Sequence, residues 1–140
     1  MKLEELYQNF ISSSKESREH LAHLSANELF GYLCDCEGNE QGIADFVSIL
    51  AVFVKSDGKS GKEEYETFTK IIDAGISYAQ FRDLMEMEQY PIALARAKEV
   101  YQSVPEDIKK DILSLGLLIC VTDEEMTQSE KNIFEAFLAL

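Results

Sequence analysis

Six acidic residues in two short stretches have the chemistry to hold a hard cation: Asp57, Glu63 and Glu64 in one, Asp123, Glu124 and Glu130 in the other. Divalent cations such as calcium take about six to eight oxygen ligands, drawn from carboxylates, carbonyls and water. The first stretch does not follow the EF-hand loop. Asp57 is followed by Gly58, Lys59 and Ser60, with no D-x-D-x-D-G spacing. A cation site would therefore draw carboxylates from both stretches. Each residue also has a purely structural explanation. Asp57-Gly58 can end a helix with the glycine in the left-handed region. Ser60 with Glu63, and Thr127 with Glu130, have the spacing of a capping box, and Met126 can staple the second one. A carboxylate near a helix N-terminus is stabilised by about 0.3–1 kcal/mol without any ligand.

Other chemistry finds less support. His20 and His23 lie at i, i+3 without a carboxylate pattern to complete a metal site. Cys34, Cys36 and Cys120 are an odd number and read as reduced thiols whose usual fate is burial. The chain has no H-E-x-x-H, P-loop or nucleophile elbow, and neither histidine is placed as the base of a Ser or Cys nucleophile. Phe and Tyr recur at helical spacing, which suits a core better than a base-stacking platform. Glu63, Glu64 and Glu66 read as a solvated helix face rather than a general acid/base pair. The expectation is a protein that is not an enzyme and has no organic cofactor, a divalent ion being the one candidate group.

The two acidic stretches share a plan. Each follows a very apolar helix and precedes a second helix that opens with glutamate. At a constant offset of 66 residues, Asp45 aligns with Asp111, Ser48 with Ser114, Asp57 with Asp123, Glu64 with Glu130 and Phe68 with Phe134. Two copies are too few for a solenoid, which needs roughly three or more. They suit a closed all-α bundle of seven to eight helices with an internal pseudo-two-fold repeat, with units at about 42–73 and 108–140. The nearly all-apolar runs from Ile43 to Val54 and from Ile112 to Val121 should pack together as the core. Residues 1–37 should supply helices that pack on this bundle.

Leu3, Leu6, Tyr7, Phe10 and Ile11 mark an amphipathic first helix, which the serines at 12–14 end. A short second helix is expected from near Ser17. Ser25-x-x-Glu28 has capping-box spacing and should open a third, with a turn at Glu37-Gly38-Asn39. Ser77 with Gln80 should cap a later helix. Pro91 and Pro105 suit the first turns of two more.

At 140 residues and 46% apolar composition the chain is expected to be one domain, 1–140, with a substantial core. Twenty-six acidic against thirteen basic residues give a net charge of −13. Binding nucleic acid or an anionic membrane needs clustered Lys and Arg, so neither is an expected partner. The charge favours cations, basic proteins or simple solubility. The first ten residues lack the apolar core of a signal peptide, and no apolar run approaches the ~20 residues of a bilayer span. A cytoplasmic protein without membrane insertion is the expectation.

From Gly42 to Leu140 the chain resembles the tellurite-resistance TerB family and its TerB-like relatives, which include a domain of a membrane-anchored DnaJ-type co-chaperone. The family's mark is an apolar helix ending in an A-D-G turn and followed by E-E, repeated once near the C-terminus. Here it reads Ser56-Asp57-Gly58 with Glu63-Glu64, then Thr122-Asp123-Glu124 with Glu130. The chain departs from the pattern at Glu124, where the family has glycine, at Ser60, where it has an apolar residue, and at Ser129, where it has a glutamate. The resemblance implies a non-enzymatic helical module in the response to tellurium oxyanions and related stress, with protein partners, a homodimer being compatible. Direct capture of tellurite does not fit an acidic chain, which would repel an oxyanion. The alternative of another class is a small acidic inhibitor or immunity-type protein whose charge faces a basic enzyme.

Overall fold

The computed structural model describes residues 2–55, 65, 66, 69, 77–87, 89–120 and 126–140. Among these residues the chain forms seven helices and no strand: α1 (Leu3–Ser12), α2 (Lys15–Glu37), α3 (Asn39–Val54), α4 (Tyr78–Met87), α5 (Tyr90–Ser103), α6 (Glu106–Cys120) and α7 (Gln128–Leu138). The all-α expectation is met. No helix among the described residues is long and apolar enough to cross a membrane.

Local chemistry sets most of the boundaries. The serine cluster does two jobs: α1 closes on Ser13, and the Ser14 hydroxyl accepts from the Ser17 amide to start α2. Ser77 and Gln80 form the expected reciprocal cap, with the Ser77 amide donating to Oε1 of Gln80 at 2.8 Å and the Gln80 amide donating to the Ser77 hydroxyl at 3.1 Å. Pro91 lies in the first turn of α5, where its missing N–H costs no hydrogen bond. Pro105 stands just before α6, and its carbonyl accepts from the Ile108 and Lys109 amides.

One boundary expectation is overturned. Ser25 and Glu28 do not open a helix, because α2 runs unbroken for 23 residues. Ser25 lies buried in the middle of α2, and both side chains face Asp111 on α6. A hydroxyl and a carboxylate three residues apart also share one face of a continuous helix, and here that face has a tertiary partner. The thiols divide as well: Cys120 is buried, Cys34 partly so, and Cys36 is exposed.

The bundle is organised around α2, α3 and α6. Helix α2 packs against α3 and α6, α3 also packs against α5 and α6, and α1 rests on α7. Ten of the sixteen residues of α3 are buried, as are ten of the fifteen in α6, so these two helices carry much of the core. They meet where Gly116 lies against the Phe53 ring, leaving no room for a Cβ. Phe53 in turn stacks on Phe134 at 5.3 Å and lies beside Phe137 at 5.8 Å, ring pairings worth about 0.5–1.5 kcal/mol each beyond their buried area. At the α2–α3 corner the approach is also close. A Cβ on Gly42 would stand 2.8 Å from the backbone of Cys34. Gly38 closes α2 and opens α3 at φ 86° and ψ 161°, a conformation open to glycine and closed to L side chains.

Candidate functional site

Of the six candidate cation ligands, Asp57, Glu63, Glu64, Asp123 and Glu124 lie outside the described residues, as does the Ser60–Glu63 cap. Glu130 is placed, and its hydrogen bonds are local. Its carboxylate accepts the Thr127 amide at 2.8 Å while its own amide donates to the Thr127 hydroxyl at 3.2 Å, a complete capping box at the start of α7. The residue is 5% exposed, and Met126 packs against the core beside it. A carboxylate held this way contributes about 1 kcal/mol to the helix and has one oxygen already committed. His20 and His23 are both on the exposed side of α2. Among the described residues no group of three or more His, Cys, Asp or Glu is arranged to hold a metal ion.

Two other carboxylates stand out, both buried. Asp45 on α3 is 1% exposed and fully engaged. Arg96 on α5 grips it with two parallel bonds of 2.7 Å each, Nε to Oδ1 and Nη2 to Oδ2, and Gln41 donates to Oδ1 at 2.9 Å. The same guanidinium reaches Glu37 at the end of α2 at 3.1 Å and Glu99 on its own helix at 2.9 Å. Burial alone would raise the Asp45 pKa. The hydrogen bonds from Arg96, Glu37 and Gln41 outweigh it and hold the carboxyl below its ordinary value. Glu37 shifts the other way, raised first by its hydrogen bond to Asp45 and then by burial. The hydrogen bond to Asp45 likewise raises the Arg96 pKa, so the guanidinium stays charged.

Asp111 on α6 is also buried, at 8% exposure, yet Oδ2 has no hydrogen-bond partner. Burial pushes its carboxyl up to about 7, the Glu28 carboxyl and Asp107 push the same way, and Ser25 pulls against them. The groups acting on Asp111 are thus two carboxyls and a hydroxyl, with no cation among them. A buried acid that titrates near neutrality can exchange a proton or receive a cation.

Neither aspartate was singled out as a site residue by its sequence, although a signal was present. Asp45 lies among Gly42, Phe46 and Ile49, and Asp111 among Ile108, Ile112 and Leu115. A carboxylate on the apolar face of a helix requires either a partner or a raised pKa, and the offset of 66 residues aligns the two. Comparison with protein-family models, with curated proteins and with solved structures finds no match to this chain.

Proposed function

We propose that this chain is a non-enzymatic TerB-like binding or scaffold module of the cytoplasm, serving the response to tellurium oxyanions and related stress by engaging protein partners. Its acidic stretches, with Asp57, Glu63 and Glu64 in one and Asp123, Glu124 and Glu130 in the other, supply the candidate divalent-cation ligands. The observation that carries this reading is the recurrence in the sequence, at one offset, of an apolar run followed by an acidic stretch that includes an aligned aspartate and glutamate. Further support comes from the all-α bundle in which the two apolar helices, α3 and α6, pack on one another. The net charge of −13 suits cations and basic proteins as ligands. It also suits the second reading, an acidic inhibitor of a basic enzyme, which a pull-down returning a basic nuclease would favour.

Thermal melting of the full chain with millimolar calcium, magnesium or zinc tests the cation face. A ligand that binds the folded state alone raises its stability, by about 2.7 kcal/mol at a hundredfold excess over Kd. The expected result is a rise in Tm that Asp57→Asn combined with Asp123→Asn removes. A melting curve that none of the three ions moves would end the cation-binding version.

A further inference from the structure

Several features coincide where α2 packs on α6. Asp111 is buried with one carboxylate oxygen unpartnered. Glu28 and Ser25 face it from α2, and Asp107 stands one turn before it on α6. Helices α3 and α5 also pack on α6, and among the described residues neither contributes a charge acting on Asp111. The arrangement therefore offers carboxylate oxygens to a cation that the described residues do not supply.

The outward side of α2 beside this cluster carries two exposed leucines among its polar residues. Leu21 and Leu24 are 49% and 52% exposed. Ser17, Leu21, Leu24, Glu28, Gly31 and Asp35 recur at spacings of three and four, so they form one ridge along the flank of α2 that adjoins α6. All are exposed except Gly31, which is half-buried and has open space where a Cβ would stand. A partner backbone can come close there.

We propose that this ridge receives a basic amphipathic helix of a partner protein. Its apolar residues would cover Leu21 and Leu24, and one Arg or Lys would enter beside Glu28 and Asp111. Charge complementarity selects this occupant over an acidic or neutral one, because the ridge carries Glu28 and Asp35 and the cluster adds Asp107 and Asp111. The Arg96–Asp45 pair shows how this fold completes a buried aspartate from within, by a two-pronged guanidinium contact. Since the Asp111 carboxyl titrates at about 7, an arriving cation favours its ionised form and displaces its proton. Binding should then strengthen as pH rises through that value. His20 and His23 also lie on α2, so substitution of Asp111 is what isolates its share of that pH dependence. The inference rests on the reading of the chain as a protein-binding module, and it does not depend on a cation at the acidic turns.

Calorimetry of the full chain at physiological salt, with a synthetic Leu/Arg amphipathic helical peptide, its Leu/Glu counterpart and spermine as probes, tests it. The Leu/Arg peptide should bind and the Leu/Glu peptide should not. Leu24→Ser and Glu28→Gln should each weaken binding by about tenfold. Asp111→Asn should weaken it comparably at pH 8 and flatten the rise in affinity between pH 6 and pH 8. Circular dichroism would confirm that each variant is folded. Glu4→Gln on α1 serves as the control and should change nothing. An equal loss with Glu4→Gln would overturn the site by showing a general attraction to an acidic surface. Tight spermine binding indifferent to Leu24→Ser would overturn it in favour of a polyamine. If no peptide binds while calcium still raises the Tm, the ridge is not a docking site and the cation reading stands by itself.

Discussion

Asp45 and Asp111 sit at aligned positions on the two most apolar helices of the bundle, and both are removed from water. Around Asp45 the chain has gathered a guanidinium, an amide and a second carboxyl that shares its hydrogen bonding. Around Asp111 it has gathered a hydroxyl and two more carboxyls. One site is closed electrostatically, the other open. The two should also respond oppositely to pH. Asp45, whose pKa is depressed, lends stability above the ordinary Asp value of 3.8, and that stability is lost as pH falls through its lowered pKa. Asp111, whose pKa is raised, favours the folded state most fully below 3.8, and that advantage is lost as pH rises through about 7. Burial alone does not set the character of a buried acid; what the neighbouring helices present to it decides.

The largest test of this contrast removes the partner from the closed site. Arg96→Met leaves Asp45 buried and unpaired and should destabilise the fold by about 3 kcal/mol in urea titration. Adding Asp45→Asn to that variant should recover most of the loss, since the uncompensated charge goes with it. A cost below about 1 kcal/mol for Arg96→Met would mean that the pair behaves like a surface ion pair, and the contrast would collapse. The intermediate test relieves the open site. Asp111→Asn should stabilise the chain by roughly 1–3 kcal/mol at pH 8 and by almost nothing at pH 4, where the native carboxyl is already protonated. Destabilisation at pH 8 would show that Asp111 has a compensating partner. The smallest test is Glu37→Gln, which trims the rim of the closed site. It should change stability by about 0.5 kcal/mol or less, because Glu37 is partly solvated and Arg96 keeps both bonds to Asp45.

Much of the fold was legible in the sequence because its signals are local. The caps at Ser77–Gln80 and Thr127–Glu130 and the proline at the start of α5 work within a few residues and hold in the structure. The apolar runs of α3 and α6 likewise announce a core. Ser25 and Glu28 misled because their spacing serves a helix start and a helix face equally well. What distinguishes the two is Asp111, far away in sequence. Arg96 was unreadable as the partner of Asp45 for a similar reason: packing of α5 on α3 brings them together, and periodicity does not reveal which cation turns inward. Of the candidate cation ligands, Glu130 is the one described, and it forms the helix cap that its spacing also offers.

The single-residue corner at Gly38 has a mechanical consequence. With no spare residues between α2 and α3, and with Gly42 lying against the Cys34 backbone, the corner lacks the slack on which a hinge depends. Arg96 ties both sides of it to α5 through Glu37 and Asp45. A load applied to the outer flank of α2 is therefore borne by three helices together rather than dissipated in a loop.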